Sequence, residues 1–268
     1  MSITTVDGAI AGMQYPRTFV KTATPTLVAG RPHSLFYLAG MPGAATASSD
    51  GAGGAAVTSY AGQIPFTNPT SGNTYLARLQ AQMTVAGGTL ILADRLWHNS
   101  GLGITTTGQQ TVNSATWPAR DANGSTDGVG VQIAIEVTGA TGSGTPTYTM
   151  VYTNSANSGS RNGTGIIAGQ SSSAIGAFYM MGLDAGDVGV RSIQTIGWSA
   201  SMSSGSVSIV AYRELARLEL SGANTPNAID ILTGGFPRLY DNTVPFLIII
   251  PSTTTASVVT GQVIWTQG

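Results

Sequence analysis

VRSIQTIGWSASMSSGSVSIVAYRELARLEL, Val190 to Leu220, is the stretch that decides the fold class. Ile196, Trp198, Ala200 and Met202 alternate with Gly197, Ser199 and Ser201, Ser203-Ser204-Gly205 interrupts, and Val207, Ile209 and Ala211 resume the alternation. A period of two puts successive side chains on opposite faces of a strand, and a Ser/Gly break between two such runs marks a turn. The stretch is therefore expected to be one long β-hairpin with Trp198 and Met202 on its core face. Its far end gathers Arg213, Glu214, Arg217 and Glu219 within seven positions. Catalytic carboxylates would have to converge in a cleft across strands, so this alternation of Arg and Glu reads as an ion-paired patch or a subunit contact.

The same pattern recurs outward. Leu79, Ala81, Met83 and Val85 alternate with polar residues, Gly87-Gly88 follows, and Leu90 to Trp97 returns, which predicts a second hairpin because both glycines can take a positive φ. Val131, Ile133, Ile135 and Val137 share one face, and Thr147 to Thr153 is the expected partner strand. Further strands are expected in Ser34–Ala39, Val57–Tyr60, Ile104–Trp117, Ala174–Met181, Pro245–Ile250 and Val258–Thr266, whereas Gly40–Gly54 and Ser155–Ser173 read as small-residue loops with little to pack. One short helix is expected at about Pro226 to Leu232, with Thr225 as its cap and Gly234 as its left-handed stop.

Roughly eight to ten hairpin-linked strands with at most one short helix predict an all-β chain, an antiparallel β-sandwich or jelly roll, with a closed barrel as the competing architecture. Residues 1–30 read as an extended N-terminal arm, because Gly8, Gly12, Pro16, Pro25 and Gly30 break any longer element. Residues 31–268 read as the sandwich domain. Such an arm is held either by a neighbouring subunit or along its own sheet edge.

Charged residues make up 9% of the chain, against about 25% in ordinary globular proteins. Apolar content is 42% and the net charge is −1. A folded chain this close to neutrality has little protection against association, so much of its surface is expected to be covered by neighbours; the simpler alternative is a neutral, Thr-rich surface that stays monomeric. Ten arginines stand against a single lysine, Lys21, a skew that suits interface contacts and that base composition also produces. Arg17, Lys21, Arg213, Glu214, Arg217 and Glu219 are the candidate interface residues. Scattered arginines and a pI near 6.0 give no basic stripe for nucleic acid. Without cysteine, disulfides and thiol chemistry are excluded. The N-terminus lacks the basic and apolar regions of a signal peptide, and Val244 to Ile250 is far shorter than the roughly 20 residues of a spanning helix. No membrane partner and synthesis in a cytoplasm are the expectation.

Asp94, His98 and Ser100 supply the residue types of a hydrolytic triad, but strand positions four apart lie roughly 13 Å from each other, so His98 is expected to bond a neighbour instead. The loop Asp121-Ala-Asn-Gly-Ser125-Thr-Asp127-Gly128 alternates oxygen side chains as a Ca²⁺ loop does, without the glycine placement or the bidentate glutamate of such a loop; a turn with Asp side chains on local backbone is the plainer reading. Trp97, Trp117, Trp198 and Trp265 lie in or beside alternating strands, where burial is favoured over a sugar-stacking platform. Phosphate loops, zinc spacings and dinucleotide fingerprints are absent. No cofactor, metal or catalytic residue is expected, and the chain reads as a non-enzyme.

The opening MSITTVDGAIAGM, the segments ADRLWHNSG (Ala93 to Gly101) and TVNSATWPARDANG (Thr111 to Gly124), and the closing FPRLYDNTVPF with VIWTQG resemble structural proteins of the virion modules of tailed bacteriophages, a likeness of texture over most of the chain. The resemblance implies a non-enzymatic, symmetric shell part located in the virion and made in the host cytoplasm. Its most direct form is a head decoration (cement) protein that binds the major capsid protein or other virion proteins and forms homo-oligomers. A minor tail component, or a carbohydrate-binding β-sandwich engaging host surface polysaccharide, is the alternative.

Overall fold

Alternating segments become strands almost wherever they occur. The structure is a computed structural model and describes residues 3–85, 87–235 and 237–268. One short helix, α1 (Val6–Ala11), opens the chain. The first half then carries β1 (Arg17–Lys21), β2 (His33–Ser34), β3 (Gly40–Met41), β4 (Ala55–Ala56), β5 (Thr74–Met83), β6 (Gly88–His98), β7 (Gly108–Thr111) and β8 (Val131–Gly139). The second half carries β9 (Tyr148–Asn154), β10 (Arg161–Gly165), β11 (Phe178–Gly182), β12 (Val190–Trp198), β13 (Ser206–Leu220), β14 (Asn227–Asp230), β15 (Arg238–Leu239), β16 (Pro245–Pro251) and β17 (Val259–Gln267). The smaller sheet runs β14-β5-β17-β1-β3 with β15 also on β5; the larger runs β2-β16-β6-β13-β8-β11-β10-β9-β12-β7 with β4 on β6. The chain is thus an all-β sandwich of antiparallel sheets.

β13 ties the molecule together, because successive parts of this long strand enter three different cores. Leu215, Leu218 and Leu220 pack with Phe19, Leu79, Met83 and Val263 of the smaller sheet, which closes the sandwich. Val207, Ile209 and Ala211 pack with Ile133 and Ile135 of β8 and with Tyr152, Ile193 and Trp198 of β9 and β12. Strands far apart in the order of the larger sheet therefore meet face to face, and that sheet curls over on itself. On the other side of the strand, Val210 and Tyr212 join Phe36, Phe178 and Phe246.

This arrangement corrects the expected hairpins. β12 pairs with β9 and β7, and β13 pairs with β6 and β8. The two halves of the opening stretch are opposite walls of one core, and residues 199–205 arch across its end, where Met202 is buried. Likewise β5 belongs to the smaller sheet and β6 to the larger, and β8 does not pair with β9. Alternation records which side chains face a core and is the same whether the next strand lies beside or across it. A local hairpin does occur at β9–β10, inside the stretch expected to be loop.

Gly87 and Gly88 consequently do a different job from a hairpin turn. They bring the crossing chain against its neighbours: a Cβ on Gly87 would lie 2.1 Å from the Leu220 carbonyl oxygen. Gly87→Ala is expected to lower stability by on the order of 3 kcal/mol, and a urea midpoint unchanged from the parent would refute the close packing of this arch.

The helix expected at Pro226–Leu232 is instead β14, whose Asn227–Asp230 pair with Ala81–Arg78 of β5. Thr225 Oγ1 donates to the Ala223 carbonyl and caps nothing; an open sheet edge satisfies this short backbone better than an isolated turn of helix would. The observed helix is α1, where Thr5 Oγ1 accepts the Gly8 N–H at 3.0 Å. In the N-terminal segment β1 lies between β17 and β3 of the smaller sheet, with Phe19 buried. The 40–54 loop, expected to pack poorly, uses its small residues for close approach. Gly53 accepts the Trp97 indole N–H at 3.1 Å, and Ala45 packs on the Phe36 core.

Candidate functional site

The six candidate interface residues have separate fates. Lys21 is buried and donates to the carbonyls of Leu38, Pro42 and Gly43; burial pushes its pKa down to about 8. Arg213 is also buried, with Nη2 on the Arg238 carbonyl and its guanidinium 5.4 Å from the Tyr240 ring centroid. Both side chains are turned into the protein in this fold. Arg17 is half-buried on β1. The remaining three lie together on the outer part of β13: Arg217 holds Glu214 at 3.0 Å, and Glu219 accepts the Thr89 hydroxyl at 2.7 Å. An exposed pair of this kind contributes little stability, about 0–1 kcal/mol.

Several other charged side chains are turned inward as well. Arg95 and Glu136 are both fully buried and meet at 2.7 Å, with the Tyr37 hydroxyl on the same carboxylate oxygen. Arg95 Nε donates to His98 Nδ1 at 3.0 Å, and its guanidinium lies 4.5 Å from the Phe36 centroid. Next to it, Arg120 grips Asp94 through Nε and Nη2 and also donates to the carbonyls of Val57 and Arg95. Arg161 with Asp184 and Asp187, and Arg191 with Asp127, bring the arginine–carboxylate pairs among the described residues to six.

Met41, Ile166, Ile175 and Val188 are exposed at separate places, and a larger group of exposed apolar side chains lies at the N-terminal end. Val6 and Ile10, one turn apart on α1, are exposed, as are Met13, Tyr15 at 86% and Leu232 at 77%. Val6 and Leu232 line a shared cavity of about 300 Å³ together with Ile3 and Ile231. Sequence reading missed this face because α1 was not expected, and without the helix the spacing of Val6 and Ile10 carries no signal.

The remaining sequence candidates are resolved by their partners. Asp94 belongs to Arg120, His98 to Arg95, and Ser100 Oγ accepts the Gly51 N–H, so the triad types do not converge. Asp121 turns its carboxylate into its own loop. It accepts the N–H groups of Asn123, Ser125, Gly128 and Val129 and the Ser125 hydroxyl, which lowers its pKa against the opposing effect of burial. The four tryptophans are buried. No helix among the described residues is long and apolar enough to cross a membrane.

In comparison with known proteins, no family model matches the chain and no curated protein matches it. Among solved structures, infectious bursal disease virus of the Gt strain is similar at 10% identity over 95% of this chain and 80% of that one, with a TM-score of 0.20. The VP2 subviral particle of the same virus is similar at 9% identity over 96% and 81%, also at 0.20. Likeness at that TM-score carries no argument about fold or function.

Proposed function

We propose that this chain is a non-enzymatic structural component of a virion, which binds a capsid lattice and stabilises it through contacts between subunits, as a head decoration protein does. The reading rests on the pairing of two features. A chain with a net charge of −1 buries two of its arginine–carboxylate pairs completely, and it leaves a group of large apolar side chains around α1 and Leu232 in solvent. Exposed apolar clusters mark contact surfaces, and near-neutral surfaces do not oppose association. Arg217, Glu214 and Glu219 supply a second, polar region suited to the rim of such a contact.

The expected result is a protein that self-associates in sedimentation velocity or co-sediments with capsid shells. Ile10→Asp combined with Leu232→Asp should abolish that association with the melting temperature unchanged, because both side chains are exposed. A parent protein that is strictly monomeric at every concentration and indifferent to capsid shells overturns the reading.

A further inference from the structure

A polar cavity of about 390 Å³ opens beside β15, lined by Arg120, Arg238, Tyr240, Asn73, Thr74 and Asn242 among others. Two guanidinium groups line it, Arg120 and Arg238, and Arg213 packs on the ring of Tyr240 in its wall. Arg238 lies 4.7 Å from the Tyr240 ring centroid and Arg213 lies 5.4 Å from it, while Arg120 forms part of the cavity wall. Two of these three arginines carry N–H groups without an acceptor among the described residues: Nη1 of Arg120 and Nε of Arg213, both buried. Arg238 is exposed and has no ion pair among the described residues.

The nearby carboxylates do not fill that deficit. Asp94 is engaged by the other two nitrogens of Arg120 and by the Val244 N–H, and Asp121 is saturated by its own loop. Asp241 stands at the mouth of the cavity and is exposed, where solvent and salt screen it. The wall is fixed before any ligand arrives. Asn68 and Asn242 bond reciprocally, Thr243 Oγ1 donates to the Tyr240 carbonyl, and the Tyr240 hydroxyl donates to the Ala122 carbonyl. A buried N–H without an acceptor is unfavourable by about 1–3 kcal/mol, and a guanidinium prefers a planar oxyanion to any neutral acceptor.

We propose that this cavity binds a small oxyanion, with the carboxylate of an acidic sugar as the form that also engages the amide side chain of Asn73. The site stands apart from the assembly reading, since a monomer would bind as well as an oligomer. Isothermal titration of the full chain with sodium glucuronate, inorganic phosphate and glucose tests it. Glucuronate is expected to bind and glucose not to bind. Arg238→Gln should weaken glucuronate about tenfold or more, and Arg217→Gln, an exposed arginine outside the cavity, should leave it unchanged. Glucuronate binding more tightly than phosphate supports the sugar carboxylate, and equal affinities support the oxyanion alone. Silence with both anions, glucose binding as tightly as glucuronate, or equal losses in the two arginine variants overturns the proposal.

Discussion

Glu136→Ala is expected to destabilise the protein by about 3–5 kcal/mol, the usual consequence of removing one partner of a buried ion pair. Both Glu136 and Arg95 are fully buried, so the variant leaves a guanidinium with no counterion in the wall between cores. What would remain for Arg95 is the His98 nitrogen and the ring faces of Phe36 and Phe246, which are neutral. Among the described residues Glu136 Oε1 and Arg95 Nη1 already lack partners, so the pair is imperfectly satisfied even when intact. That imperfection makes a second result informative. The double variant Arg95→Met/Glu136→Leu should recover most of the loss, because well-packed apolar replacements of a buried pair are often neutral or stabilising. Urea denaturation measures both. A loss under about 1 kcal/mol for Glu136→Ala would mean that water reaches the pair.

Acidification should unfold the protein through its two histidines. Burial pushes the pKa of His33 down to about 4, and burial together with the Arg95 guanidinium pushes that of His98 down to about 3. Asp50 stands 3.5 Å from His98 Nε2 and acts in the opposite sense, but it is partly exposed and its charge is screened. Arg95 dominates because it occupies Nδ1, the nitrogen a second proton would need. Both folded-state values lie below the ordinary 6.5, so the folded protein refuses protons that the unfolded chain accepts. The stability that follows from keeping both rings neutral is fully present above pH 6.5 and is lost as pH falls toward 4 and 3. Each histidine contributes a slope of about 1.4 kcal/mol per pH unit, so roughly 4 kcal/mol disappears for the pair between neutrality and about pH 5. Urea midpoints across that range should fall steeply in the parent and much less in His33→Asn/His98→Gln. A parent midpoint that stays level to pH 5 would show that neither ring is held neutral.

Strand positions were legible in the residues of β6, β8, β13, β16 and β17, because burial on one face leaves a period of two in any sequence. The pairing of those strands was not legible. Trp198 and Val207 face the same core whether their strands are neighbours or opposite walls, and only the seven-residue length of 199–205, against the two residues of a tight turn, hinted at an arch. The interface candidates suffered from the same ambiguity. Arg213 and Arg217 share one charged run, yet the register that pairs Arg213 with Asp94 and Arg217 with Ile91 buries the first and exposes the second.

Composition and period by themselves determined an all-β chain, poor in charge, with its aromatic and β-branched residues inside. They did so because those properties belong to each residue or to its immediate neighbours. Tertiary structure alone decided that β13 serves three cores, that the segment after Pro226 is an edge strand and not a helix, and that Arg213 of β13 reaches the ring of Tyr240 beside Arg238. Those outcomes depend on which sheet a strand joins. That choice is settled by the summed burial of whole faces and by the need of every buried guanidinium for an acceptor, and neither can be read from a window of local sequence.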